Sequence, residues 1–189
     1  MITLEPPQRL PADADVWRAV GLSRGGLTRF LGSARGAVGL AGDVDVLLAG
    51  DRTLRRLNRE FRGKDKATDV LSFPAAEEVA AQHAGDLAVS LQTAQRQADE
   101  HEHTLAVEVR VLMLHGLLHL AGMDHEVDRG EMAAREAELR KKLRLPLGLI
   151  ARVEGGKANA ADAKDATVRS GSVRTPKKAV AAKRKKVAA

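Results

Sequence analysis

The sequence predicts an α/β protein of the α+β kind, a single domain with a small sheet of four strands layered with helices. Three observations lead there. Strand-like segments alternate with helix-like ones as far as residue 90, and only helical patterns follow up to residue 143. One of those later helices carries the run Val111 to Met123, too apolar to lie on a surface, so it is expected at the centre of the fold. Hydrophobic residues make up 44% of the chain but aromatic ones only 2%, so the core has to be built from Leu, Val and Ala.

Taken in order, residues 2–4 make a short strand, ended by Pro6 and Pro7. A helix is expected over 13–33, with Val16, Val20, Leu27, Phe30 and Leu31 as its apolar positions and a break where Gly21, Gly25 and Gly26 weaken it. Residues 44–49 are apolar and β-branched at their start, the mark of a strong strand. Asp51 then stands where an N-cap is wanted, and Leu54, Leu57 and Phe61 fall at helical spacing over 52–61. A polar turn over 62–67 leads into a second strong strand, 68–73, stopped by Pro74. Residues 75–84, rich in Ala and Glu, read as a loop or short helix. Gly85 and Asp86 open a strand over 87–90, a helix spans 91–100, and Thr104 caps the helix that holds the apolar run. A last helix over 129–143 mixes Glu and Arg along an exposed face and stops before Pro146.

The character changes after residue 150. Lys, Ala, Gly, Ser and Asp dominate, and Val168, Val173, Val180 and Val187 cannot make a core, so 1–150 is read as the domain and 151–189 as a disordered basic tail. The tail holds eleven Lys+Arg against three Asp+Glu, whereas 1–150 holds 20 against 22. The net charge of +6 therefore belongs to the tail, and the basic pI is no argument that the body binds nucleic acid. The tail, ending in Lys183-Arg-Lys-Lys186, reads equally as an arm for polyanions or as a solubilising segment. Without Cys there is no disulfide framework. No secretory pattern is visible at Met1, and the longest apolar run is too short to span a bilayer, so a cytoplasmic protein with no membrane partner is expected.

Three of the six histidines fall between positions 115 and 125. His115 and His119, four apart, lie on one face of a helix one turn from each other. Gly122 supplies a positive-φ residue to end that helix, and the chain can then turn to bring His125 back to the pair. Three neutral imidazoles meeting at a point suit a zinc-type ion, and a set of three histidines without cysteine is characteristic of an open, catalytic site rather than a closed structural one. The pattern H-x-x-x-H-x-x-G-x-x-H is the ligand scaffold of the metzincin proteases, but those carry Glu after the first His as general base, and this chain has Gly116. That substitution counts against peptide hydrolysis and leaves the metal site intact. His83, His101 and His103 are expected as exposed residues.

With Gly116 in place, His115-Gly-Leu-Leu-His-Leu-Ala-Gly-Met-Asp-His125 resembles the signature of the YbeY family of bacterial ribosomal RNA maturation factors. The block from Leu57 to Pro74 resembles that family's other signature, and Gly85-Asp-Leu-Ala-Val-Ser90 is a weaker third piece. The resemblance covers about residues 40–145 and does not include the tail. It implies a single domain with a small mixed sheet, one Zn2+ held by His115, His119 and His125, and Arg62 as the active-site arginine. It implies cleavage of single-stranded RNA, maturation of the 3′ end of 16S rRNA and ribosome quality control, with ribosomal RNA, the small ribosomal subunit and ribosome-associated proteins as partners. On residue chemistry alone Arg62 is a solvated arginine in a polar turn. Asp124 and Glu126 can be acceptors for ligand N–H groups, a general base or plain surface carboxylates, and Ser72 a substrate contact or a structural hydroxyl. The alternative to an RNA-cleaving hydrolase is a non-catalytic ribosome-assembly factor whose metal fixes the fold.

Overall fold

The computed structural model describes residues 1–5 and 16–146; the start of the N-terminal helix and the tail expectation lie outside the described residues. Strand β1 (Ile2–Leu4) precedes α1 (Val16–Ala19), α2 (Arg24–Val38), β2 (Asp43–Ala49) and α3 (Asp51–Arg62). Then come β3 (Val70–Pro74), β4 (His83–Ser90), α4 (Leu91–Glu100), α5 (Leu105–Leu120) and α6 (Glu131–Lys142). The four strands form one mixed sheet in the order β1-β2-β4-β3. β1, β2 and β4 run parallel, and β3 runs antiparallel on the edge beside β4.

Strand alternation divides the core. Val44, Val46 and Leu48 of β2, with Leu87 and Val89 of β4, face a layer containing Val109, Leu112 and Leu117 of α5 and Leu27 and Leu31 of α2. The intervening Ala49 and Ala88 pack with Leu54 of α3 and Leu71 of β3 on the opposite face. Helix α5 is central, as its composition required. Leu114 and Leu118, on the side of α5 away from the sheet, meet Met132 and Leu139 of α6. Among the described residues no helix is long and apolar enough to cross a membrane.

Several expectations need correction. The first helix breaks at Gly21, whose φ is +69°, but then restarts from a Ser23 cap and continues to Val38 instead of stopping at 33. β4 begins at His83 and not at Leu87, and the segment expected as a loop or short helix holds a short 3-10 turn, Glu77–Val79. Asp51 is not an N-cap: Gly50 holds that position, and the Asp51 carboxylate accepts from Ser90 Oγ, from Thr93 Oγ1 at 2.8 Å and from the Arg96 guanidinium at 3.0 Å. The bonds thereby tie the start of α3 to that of α4. The last helix keeps Glu131 and Glu138 exposed but buries Glu136 and Arg140, which are 1% and 2% exposed.

Candidate metal centre

Helix α5 is started by Thr104, whose side chain accepts from Val107 N–H, and ends where Gly122, at φ +82°, turns the chain. Gly122 and Met123 return their N–H groups to the carbonyls of His119 and Leu118 at 3.0 and 3.1 Å. The loop after Gly122 folds on itself through Asp124, whose Oδ1 accepts from Glu126 N–H at 3.0 Å. It is closed by Asp128, which takes the N–H groups of Gly130 and Met132 at 2.9 and 2.8 Å. Those backbone bonds hold the Asp128 carboxyl below its ordinary pKa. Tied at both ends, the loop brings His125 against α5.

The three imidazoles meet as the spacing predicted. Ring centroids lie 4.8 Å apart for His115–His119, 5.2 Å for His115–His125 and 5.3 Å for His119–His125. One donor nitrogen from each falls within 4.8 Å of the others. A tetrahedral ion with bonds of about 2.1 Å needs donors about 3.4 Å apart, and His115 Nε2 and His119 Nε2 stand 3.2 Å apart. The depth is graded: His115 is buried, His119 half-buried and His125 exposed, giving the group a protein floor and an open mouth. Burial lowers the pKa of His119, and its imidazole neighbours His115 and His125 lower it further, against a smaller opposing effect of Asp124 and the Met123 backbone. Burial and neighbours thus favour the neutral ring that a metal ion requires.

The floor rests on a residue that sequence reading missed. His115 Nδ1 lies 2.9 Å from Glu136 Oε2, and the other oxygen of Glu136 accepts from Arg140 Nε at 2.7 Å and lies 2.6 Å from Arg140 Nη2 in an ion pair. Arg140 also donates to the Pro146 carbonyl at 3.1 Å. A carboxylate facing Nδ1 requires the proton there, which leaves the Nε2 lone pair directed at the other two rings. The donor set therefore fits a zinc-type ion. The available signal was the spacing Met132, Glu136, Leu139, Leu143, an inward stripe with a carboxylate in it.

Gly116 fits α5 to the sheet. A Cβ there would come within 2.8 Å of Leu87 Cδ2 and 3.2 Å of Ser72 Oγ. A Glu at this position would enter the sheet instead of facing the histidines, so packing as well as composition opposes the protease arrangement. Ser72 Oγ donates to the Gly116 carbonyl at 3.1 Å and so has the structural role. Arg62 is the last residue of α3, exposed, and its guanidinium makes no side-chain hydrogen bond or ion pair among the described residues. Its neighbour Phe61 packs edge-on against Phe73 at 5.1 Å, which seats this end of α3 on β3, the strand that meets α5 through Ser72. Asp124 and Glu126 are exposed and have no hydrogen bond to the ligand imidazoles. Of the remaining histidines, His101 and His83 are half-buried and not exposed as expected, and His83 lies 3.4 Å from Asp86. His103, expected to be exposed, is instead largely covered and lies 3.2 Å from the buried carboxylate of Glu108.

The family model described as Endoribonuclease YbeY matches residues 28–144, from α2 through α6. The protein named Endoribonuclease YbeY from Koribacter versatilis is 53% identical over 135 residues, 71% of this chain and 87% of that protein. Its namesake in Solibacter usitatus is 52% identical over 133 residues, 70% of this chain and 88% of that protein. In Nautilia profundicola the namesake is 50% identical over 112 residues, 59% of this chain and 80% of that protein. With the match covering more than half of its length and including all three histidines, the chain belongs to the YbeY endoribonuclease family.

Proposed function

We propose that this protein is a metal-dependent endoribonuclease that cleaves single-stranded RNA in the cytoplasm. Its substrate is the 3′ region of 16S rRNA on the small ribosomal subunit, a step of maturation and quality control. The observation that carries this reading is the convergence of His115, His119 and His125 with His115 fixed from below by buried Glu136. Family membership supports RNA as the substrate, because the relatives are named endoribonucleases.

In this reading His115, His119 and His125 hold one zinc-type ion, which when bound supplies Lewis acidity toward a phosphate oxygen and lowers the pKa of water. Glu136 holds the proton on His115 Nδ1. Arg62, with no carboxylate partner among the described residues, grips the scissile phosphate through its planar fork and offsets the charge that grows there. The loop carrying His125 leaves the mouth open, so a strand can enter without unfolding the protein. The buried Glu136–Arg140 pair favours a second reading, because it makes the centre part of the fold as well: a ribosome-assembly factor with a structural metal.

The test is metal analysis of the purified protein together with cleavage of a single-stranded RNA oligonucleotide. His119→Ala is expected to lose most bound metal and Arg62→Ala about a hundredfold or more in turnover, the scale for one transition-state donor. Lys at position 62 is expected to rescue poorly. A chelator that stops cleavage while the protein stays folded supports the enzyme. A chelator that melts a protein never able to cut RNA supports the assembly factor.

A further inference from the structure

The body of the protein, slightly acidic in total, is not acidic everywhere. Helix α3 and the turn after it, residues 51–66, hold seven Lys+Arg against three Asp+Glu, while the rest of 1–150 holds 13 against 19. The five basic residues on α3 are all arginines, at 52, 55, 56, 59 and 62. At 100° per residue they fall within one arc of about 120°, on the side of the helix away from the buried Leu54. Arg52 to Arg62 spans about 15 Å along the axis. Arg62, the family's arginine, is thus the end of a stripe.

The other four arginines line a cleft of about 1190 Å3 at the carboxyl ends of the parallel strands, between α3 and α4. In sheets of this kind that edge is where ligands bind. The Gln92 and Gln95 side chains and the first residue of α5, Leu105, form other parts of the wall. His115 stands ten residues further along α5, about 15 Å from that end, so the cleft is a separate place from the metal centre. Two carboxylates also line it. Asp65 pairs with Arg55 through two 2.7 Å bonds, and Glu5 accepts from Thr53 at 2.9 and 3.0 Å. Arg56 has only an exposed 3.3 Å pair with Glu60, and Arg52 has no ion pair at all among the described residues. An exposed pair of that kind exchanges readily for a phosphate.

We infer that this cleft and the arginine stripe of α3 bind the phosphodiester backbone of the RNA strand away from the bond that is cut, so that substrate is held along α3 from the cleft to Arg62. The inference rests on the reading of the protein as a ribonuclease. Guanidiniums strung along a helix match a chain of charges, whereas a single phosphate or small anion calls for groups converging on one point. Phosphate contacts of this kind position the strand without reading its sequence.

The test uses the full-length, metal-loaded protein and the double variant Arg52→Ala/Arg56→Ala, which touches neither the histidines nor Arg62. Affinity for a non-cleavable single strand of about twelve nucleotides, within the range that single-strand binding grooves cover, is measured across a salt series. Cleavage is measured on the cleavable form and on a trinucleotide able to reach only the histidine centre. The variant is expected to bind the long strand several-fold more weakly at low salt. Its log–log salt slope should be shallower by about 1.4, since each of the two phosphates no longer neutralised accounts for about 0.7. Its kcat on saturating long RNA and its kcat/KM on the trinucleotide should match wild type. A variant with the wild-type slope and affinity, in a preparation where wild type binds and cleaves, overturns this inference alone. Wild-type protein that binds no RNA overturns it together with the functional reading.

Discussion

Glu136→Gln separates what holds the candidate metal centre from what merely packs beneath it. Both carboxylate oxygens are in use, one facing His115 Nδ1 at 2.9 Å and one accepting from Arg140 Nε at 2.7 Å and ion-paired with the same guanidinium, in a place where Glu136 is 1% exposed. An amide has one oxygen to offer. If that oxygen stays on Arg140, the NH2 group faces His115 and favours the tautomer protonated on Nε2, the nitrogen the ion needs. If it turns to His115, the NH2 group confronts the guanidinium. Loss of such an outer partner costs about 10–100-fold in metal affinity. Uncovering a buried charge costs about 3–5 kcal/mol, which at about 2–4 °C per kcal/mol lowers Tm by about 6–20 °C. The two effects come apart in Glu136→Leu/Arg140→Met, where an apolar pair replaces the ionic one. Stability should return toward wild type, whereas metal affinity, read by competition with a chromophoric chelator, should stay low. Wild-type affinity in Glu136→Gln, or recovery of both properties in the apolar double variant, would show that Glu136 does not set the histidine.

Gly116→Ala should destabilise by about 1–3 kcal/mol, the usual penalty for overpacking, because its Cβ lands 2.8 Å from Leu87; an unchanged urea midpoint would count against the close seating of α5. For Asp51, burial favours the protonated form, but bonds from Ser90, Thr93 and Arg96, with the charge of Arg96, outweigh it and leave the pKa below 3.8. A folded pKa below the unfolded one means stability that is present above about pH 4 and is lost as pH falls through the folded value. The gap between wild type and Asp51→Asn in urea denaturation should therefore narrow below that pH, and a gap that persists would sink the argument. Cutting the chain after Ile150 should leave Tm and metal content unchanged while weakening RNA binding and flattening its salt dependence; a collapse in Tm would place the domain boundary elsewhere.

Local signals made most of the frame readable. Thr104 and Gly122 mark both ends of α5, and the alternation of β2 separates residues for the two faces of the sheet. The triad was legible because two of its histidines share a helical turn and the third follows a glycine. Glu136 was not, because its partner is on another helix, and the surface reading of a Glu/Arg-rich helix concealed two buried charges. Asp51 was misread for a related reason: a carboxylate at a helix start normally caps its own helix, and only the tertiary pairing of β2 with β4 brings Ser90, Thr93 and Arg96 beside it. The arginine stripe was present in the sequence at helical spacing, but a charge total over 150 residues averaged it away.

The flush seating of α5 at Gly116 closes a mutational path. A single nucleotide change turns a glycine codon into a glutamate codon, and on paper it would convert this histidine set into that of a peptidase. Here the new carboxylate would run into Leu87 and Ser72, so the fold would suffer before any new chemistry appeared. Nearby sequences can reach that reaction only after β3 and β4 have yielded space, through earlier changes that bring no catalytic benefit themselves. The spacing between one helix and its sheet thus restricts which activities this centre can acquire in small steps.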